Sequence, residues 1–280
     1  MQKNALTILG LPQHNTSIMG ILNVTPDSFS DGGKFNNIDN ALKHAEKMLE
    51  NGANIIDIGG ESTRPGATKV TNKEELARVI PVIESIKKKF NCLISVDTSN
   101  PNVIWQAYNV GVDLINDVRA LSQKNALEIS AKTGLPVCLM HMQGSPETMQ
   151  LKPNYDNIVK DVSDFFDFKI NQCHDAGINK EKIILDVGFG FGKTLAHNLQ
   201  MLNSLEDFHK LALPLLVGIS RKSMLGHITG QPEDQRLHAS VSAAVISAMK
   251  GAQILRVHDV PQTKQALQIV EAMNKVKYES

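Results

Sequence analysis

The chain reads as a single (β/α)8 barrel, and three observations predict it. Eight short apolar runs each finish on a polar residue. They end at Leu22-Asn23, Ile56-Asp57, Val96-Asp97, Ile115-Asn116, Met140-His141, Leu185-Asp186, Ile219-Ser220 and Leu255-Arg256-Val257-His258. From Asn23 to Arg256 these ends recur about every 33 residues, the length of one strand–helix unit in a barrel of ~250 residues. The 280 residues, 42% of them hydrophobic, are enough for one large core. A doubly wound open sheet is the alternative reading of the same alternation.

Each element has its own signal. Residues 1–16 form an N-terminal extension to a unit spanning residues 1–280, with the apolar stretch Leu6 to Leu9 and a turn near Gly10-Leu11-Pro12. The first strand ends at Asn23. Turn formers from Thr25 to Gly33 follow, too long a stretch for a plain connector, which marks a functional loop. Ile38, Ala41, Leu42, Ala45, Met48 and Leu49 make the apolar stripe of a helix that Gly52 stops. Thr71-Asn72-Lys73-Glu74 is a capping box opening a second helix with Leu76, Val79, Ile80, Ile83 and Ile86 inward. Pro81 lies inside that pattern and is expected to kink it. Residues 122–134 and 195–212 hold helices whose ends the pattern does not fix. The last helix starts at Val260-Pro261 and packs Ala266, Leu267, Val270 and Met273.

Several function classes fall away. Basic and acidic residues balance at 29 each, so no global field draws nucleic acid or anionic membrane. Cys92, Cys138 and Cys173 are odd in number and lack a Cys-x-x-Cys spacing, which favours a reducing compartment over a disulfide framework or zinc site. No apolar stretch has the length of a signal core or membrane span. A soluble cytoplasmic protein is therefore expected. Gly188-Phe189-Gly190-Phe191-Gly192-Lys193-Thr194 imitates a nucleotide-binding loop but fails on spacing. The phosphate-cradling loop needs glycine where Val187 stands, and the dinucleotide fingerprint needs it at Lys193. No serine–histidine–acid triad can be assembled, and His141 and His258 lack partners at zinc-ligand spacing.

In a barrel of this kind the C-terminal strand ends build the site. Asp97, Asn116 and Asp186 offer carboxylate acceptors and one amide, a set suited to a flat heterocycle with amino, ring N–H and carbonyl groups. Singly, each is more commonly a helix cap; three together, at the ends of the third, fourth and sixth strands, favour a site. Arg64, Arg221, Lys222, Arg256 and His258 form a cationic set fit for phosphate oxygens. Surface charge is the ordinary role of Arg64 or Arg221 alone, whereas Arg256 sits within an apolar run and needs partners. Asn23 and Asp57 add oxygens beside the cations, and Mg²⁺ uses one or two protein oxygens with substrate phosphates completing its shell. A diphosphate-bearing heterocycle with Mg²⁺ is the ligand class these residues suggest. Met140, Met142 and Phe191 read as core or pocket wall.

Two long motifs, Ile21-Leu22-Asn23-Val24-Thr25-Pro26-Asp27-Ser28-Phe29-Ser30-Asp31-Gly32-Gly33 and Gly52 through Asp57-Ile58-Gly59-Gly60-Glu61-Ser62-Thr63-Arg64-Pro65-Gly66, closely resemble the signatures of the dihydropteroate synthase family of folate biosynthesis. Ser95 to Thr98, Ile115 to Asp117, Met140 to Gly144, Ser220 to Ser223 and Arg256 to His258 extend the likeness over the whole chain. The resemblance implies a homodimeric barrel joining 7,8-dihydropterin-6-ylmethyl diphosphate to 4-aminobenzoate. Asp97, Asn116, Asp186 and Lys222 would hold the pterin, with Met140 and Phe191 as pocket wall and Arg256 stacked on the ring. Thr63, Arg64, Arg256 and His258 would hold diphosphate, with Asn23 reaching it through Mg²⁺. Phe29 and Pro65 would close over the aminobenzoate, whose carboxylate would meet Ser223. Asp97, Arg64 and Lys222 would carry the catalysis. Two departures, Val187 for the family's proline and Asn100 for its frequent lysine, touch no ligand position. A pterin-dependent methyltransferase has no use for the anion set, and an inactive pterin-binding paralogue is expected to have degenerate loops.

Overall fold

The computed structural model describes residues 4–25, 34–62, 70–145 and 148–278. Along the chain run α1 (Ala5–Ile8), β1 (Ser17–Asn23), α2 (Lys34–Glu50), β2 (Ile55–Gly59), α3 (Asn72–Lys89), β3 (Leu93–Asp97), α4 (Pro101–Asn109), β4 (Leu114–Asp117) and α5 (Ala126–Thr133). Then follow β5 (Val137–Met140), α6 (Ile158–Asp175), β6 (Ile183–Asp186), α7 (Leu195–Asn203), β7 (Leu215–Val217), α8 (Ser223–Thr229), α9 (Leu237–Met249), β8 (Ile254–Val257) and α10 (Val260–Tyr278). The strands pair in sequence order, all parallel, and β8 returns to β1 to close the barrel. The eight-stranded barrel expected from the apolar runs is the architecture found.

Successive side chains of a strand point to opposite faces, and here that alternation sorts two cores. Ile18 and Leu22, Ile56 and Ile58, Ile94 and Val96, Val137 and Leu139, and their counterparts on the other strands pack outward against the helices. The other parity fills the barrel. Met19, Ile55, Leu114, Cys138, Ile184, Leu216 and Ile254, with Leu93 beside them, draw one residue from each strand into an interior layer. Ala5, Leu6, Leu9 and Leu11 join that layer, so α1 and the turn after it stopper the N-terminal end. The barrel is thereby a packed core open to chemistry only at the other end.

The helices follow their sequence signals. Ala41, Ala45 and Met48 of α2 are buried. Thr71 caps α3 by accepting from the Glu74 amide while the Glu74 carboxylate accepts from the Thr71 amide. The helix runs on past Pro81, whose carbonyl also accepts from Ser85 Oγ at 2.7 Å. Val260, Thr263, Leu267 and Val270 form the inward stripe of α10. Met273 does not belong to it: at 51% exposed it lies with Ile269 and Val276 on the outward face of the helix. The uncertain stretches resolve into α5, and into α7 followed by a 3₁₀ turn over Leu205–Leu211. Among the described residues, no helix is long and apolar enough to cross a membrane.

Candidate active site

Two residues beyond the apolar layer, the inward parity changes character. Ile55 is followed by Asp57, Leu114 by Asn116, Cys138 by Met140, Ile184 by Asp186 and Ile254 by Arg256. The strands therefore deliver these side chains to one mouth, lined further out by Asn23, Asp97 and the residues just past β7 and β8.

Arg256 organises the floor of this mouth. Its Nε donates to Asp57 Oδ2 at 2.6 Å and its Nη2 to Asp97 Oδ2 at 2.7 Å. Asn116 Nδ2 reaches both oxygens of Asp57, at 3.4 and 3.3 Å. The need for partners read from the Arg256 run is thus met across the barrel, from β8 to β2 and β3. Burial lifts the Asp97 carboxyl above the ordinary carboxylate range; the Arg256 charge pulls it back, and Asp57, Asp117 and Glu75 add repulsion. Asp57 is fully buried and occupied by Arg256 and Asn116. Asp57 therefore stands beside a cation, as expected, and is the counter-ion of the floor.

Asp186 faces the same space from β6. Its Oδ1 accepts from the Gly188 amide at 2.8 Å, so it does serve the following turn. Burial raises its carboxyl, opposed by that amide and by Lys222, Arg256 and Lys193. Lys222, at the N-cap of α8, holds its ammonium 4.1 Å from the centroid of the Phe191 ring, a cation–π distance. Phe191, Met140, Val118 and Met149 pack as one apolar cluster with Met142 at its edge, which gives the mouth a wall. Asp97 and Asn116 cap no helix; Asn100 does that for α4.

The cationic set divides. Arg221 donates to Asp259 from Nε at 3.0 Å and Nη2 at 2.5 Å, and its carbonyl accepts from Arg236 at 2.9 Å. It is tied into the frame of the β7 and β8 loops. His258 Nδ1 lies 3.0 Å from Ser220 Oγ. Burial, then the Arg256 charge, push this imidazole down to about 4, so it is neutral near pH 7. Ser223 is exposed at the first turn of α8. Asn23 is half-buried at the end of β1, and its side chain has no hydrogen-bond partner among the described residues. A single unengaged amide oxygen at the mouth fits a Mg²⁺ ion whose remaining ligands come from water and phosphate; no cluster of three acidic, histidine or cysteine ligands occurs among the described residues. Phe29, Thr63, Arg64 and Pro65 lie outside the described residues.

Sequence reading missed the supports of this site. Arg119 Nη1 bonds Glu61 at 3.1 Å and Ser99 Oγ at 3.1 Å, and Asp117 accepts from Ser99 and from the Arg119 and Leu121 amides. Only the parity of Asp57 and Arg256, both inward, could have signalled the floor pair in advance.

The pterin binding enzyme family model matches residues 19–258. The dihydropteroate synthase of Escherichia coli strain K12 is 57% identical over 255 residues, covering 91% of this chain and 90% of that one. That of Haemophilus influenzae is 54% identical, covering 94% of each. Among solved structures, Yersinia pestis dihydropteroate synthase in a sulfonamide drug complex superposes with a TM-score of 0.91 at 56% identity, over 95% of this chain and 96% of that one. Xanthomonas albilineans dihydropteroate synthase with 4-aminobenzoic acid gives 0.88 at 45% identity, over 93% of each chain. With the two signature motifs, the closed barrel and the inward Asp, Asn and Arg set in agreement, this chain belongs to the dihydropteroate synthases, within the pterin binding enzymes.

Proposed function

We propose that the mouth condenses 7,8-dihydropterin-6-ylmethyl diphosphate with 4-aminobenzoate, giving 7,8-dihydropteroate and diphosphate. The observation that carries this reading is the floor itself: Arg256 between Asp57 and Asp97, with Asn116 and Asp186 alongside. In our reading Asp97, Asn116 and Asp186 accept from and donate to the pterin edge, with Met140, Phe191 and Lys222 as wall and the Arg256 face stacked on the ring. The diphosphate goes to Thr63, Arg64, Arg256 and His258, where the guanidinium charges offset its own and the imidazole adds a hydrogen bond.

The bond that breaks joins the exocyclic methylene to diphosphate. Bound Mg²⁺, held by Asn23, would supply charge neutralisation on the leaving diphosphate. The pterin ring spreads the positive charge left behind, and the Asp97 carboxylate beside the ring stabilises it. The aryl amine is neutral at pH 7 and attacks without a strong base. Exclusion of water protects the cation, and Phe29, Pro65 and Ser223 are proposed to enclose the aminobenzoate. The decisive experiment follows diphosphate release: it should need pterin ester, Mg²⁺ and aminobenzoate together. Release without aminobenzoate would make the protein a hydrolase instead.

We place the enzyme in the cytoplasm as a homodimer. Its three cysteines are free. Ile246 and Met249 on α9 and Ile269, Met273 and Val276 on α10 are exposed apolar residues, supporting a self-association face. Sedimentation at micromolar concentration decides it: a monomer there rejects the dimer.

A further inference from the structure

The loop that imitates a nucleotide-binding motif ends in Lys193, and that lysine is only 3% exposed. Its ammonium lies 2.9 Å from His141 Nδ1, 2.9 Å from the Gly188 carbonyl, 3.0 Å from the Phe191 carbonyl and 3.3 Å from the His141 carbonyl. An ammonium has three protons and no lone pair, so the three shortest contacts use all of them. His141 Nδ1 must then accept, which puts the imidazole proton on Nε2. The ring stands edge-on to Phe165 with centroids 4.9 Å apart and is buried.

The two loops meet too closely for any looser arrangement. A Cβ on Gly188, at φ +70°, would fall 2.0 Å from the His141 carbonyl oxygen, and one on Gly192, at φ +62°, 2.6 Å from that of Gln143. Tyr155 adds a bond from its hydroxyl to the Gly192 carbonyl at 2.7 Å. The cage therefore joins the end of β5, which carries Met140, to the β6 loop, which carries Phe191 beneath the Lys222 ammonium.

We propose that Lys193 is a positioning residue for pterin recognition: it pins the Phe191 and Gly188 carbonyls to His141 and so fixes the wall formed by Met140, Phe191 and Lys222. The proposal rests on the reading of that wall as a pterin contact. Its charge also faces Asp186, which favours the ionised carboxylate there. Burial costs the ammonium, bringing it down to about 7, with Asp186 opposing that shift and Lys222 adding to it. A group so costly to bury persists only where its bonds are used.

The test pairs calorimetry with nitrogen-15 NMR of histidine, both at pH 6. In the unaltered enzyme, His141 should show an unprotonated Nδ1 and a protonated Nε2; a protonated Nδ1 overturns the cage without any variant. Lys193→Met should raise the Kd for free pterin and the KM for its diphosphate ester by 10- to 100-fold, with kcat at saturation within threefold. Lys193→Gln, which keeps two donors, should recover part of that loss. A Lys193→Met enzyme with pterin affinity within twofold of the unaltered one overturns the proposal, whatever its melting temperature. If the unaltered enzyme binds no free pterin, the pocket reading falls, and the proposal with it.

Discussion

The two ends of the barrel interior are built on the same parity of the same strands, two residues apart, and do opposite work. At the closed end Met19, Ile55, Leu114, Ile184, Leu216 and Ile254 meet α1 with no polar side chain among them. At the open end Asp57, Asn116, Asp186 and Arg256 replace them. The first layer is held by transfer of apolar surface from water, which needs only volume and shape. The second must be held by pairing, since each buried charge is costly unless matched. One end can therefore be repacked with little functional consequence. The other couples stability to recognition, because Asp97, a carboxylate a ligand would use, is also one that Arg256 pairs.

Removing the matching charge should give the largest effect. Arg256→Met leaves Asp57 and Asp97 buried without their cation and should cost about 3–5 kcal/mol of stability at pH 7, with synthase activity lost. Burial already raises the Asp97 carboxyl above its unfolded value, and the loss of the Arg256 charge removes what pulls it back. A folded state with the higher pKa binds more protons, so stability falls as pH rises; the variant should regain stability on going from pH 8 to pH 5. Urea unfolding at both pH values checks this. A variant as stable as its parent at pH 7 would dissolve the contrast between the two ends. The matched change at the closed end is Ile184→Ala, which opens a cavity and should cost about 2–5 kcal/mol. Its pterin affinity should stay within twofold of the parent's by calorimetry, and a larger loss would show that the ends are not separable.

The difference between the ends also explains what was legible in the sequence. Apolar runs at a constant spacing report the barrel because every strand must be covered on both faces, and the capping box at Thr71 is a local code. The chemistry of the mouth was legible as an inventory of strand-end residues. Pairing was not. Arg256 and Asp57 are 199 positions apart, and nothing local in the sequence distinguishes a carboxylate that neutralises an arginine from one that faces a metal. The partner of Arg221 was hidden for the same reason, since Asp259 lies on another strand's loop. Lys193 was recognisable as a failed phosphate motif, but its cage depends on carbonyls brought together by β5 and β6.

Within the open end, the floor residues should separate by ligand. Asp186→Ala deprives the pterin edge of its acceptor while leaving Arg256 paired, so it should cost about 3 kcal/mol of binding, roughly a hundredfold in Kd, with the fold intact. Unchanged affinity would leave Asp186 only its bond to Gly188. Asn23→Ala should act on the other half of the substrate, weakening the diphosphate ester roughly tenfold or more in Mg²⁺ while sparing free pterin. Titration of both ligands decides it, and equal losses would remove Asn23 from the metal.

The smallest effect concerns protons. His258 is neutral at pH 7 because burial and the Arg256 charge hold it down to about 4. A diphosphate placed beside it supplies the opposite field and favours the charged imidazolium, so the pKa in the complex lies above that in the free enzyme. Between those two values binding must take up protons, and affinity must strengthen as pH falls. Diphosphate itself sheds protons on meeting cations, which has the opposite sign, so the comparison needs His258→Gln as its baseline. Calorimetry at pH 5.5 in two buffers of different ionisation heat should show a fraction of a proton more taken up by the parent than by the variant. Equal uptake in both would move the diphosphate away from His258 and leave Arg256 as the link between the floor and the leaving group.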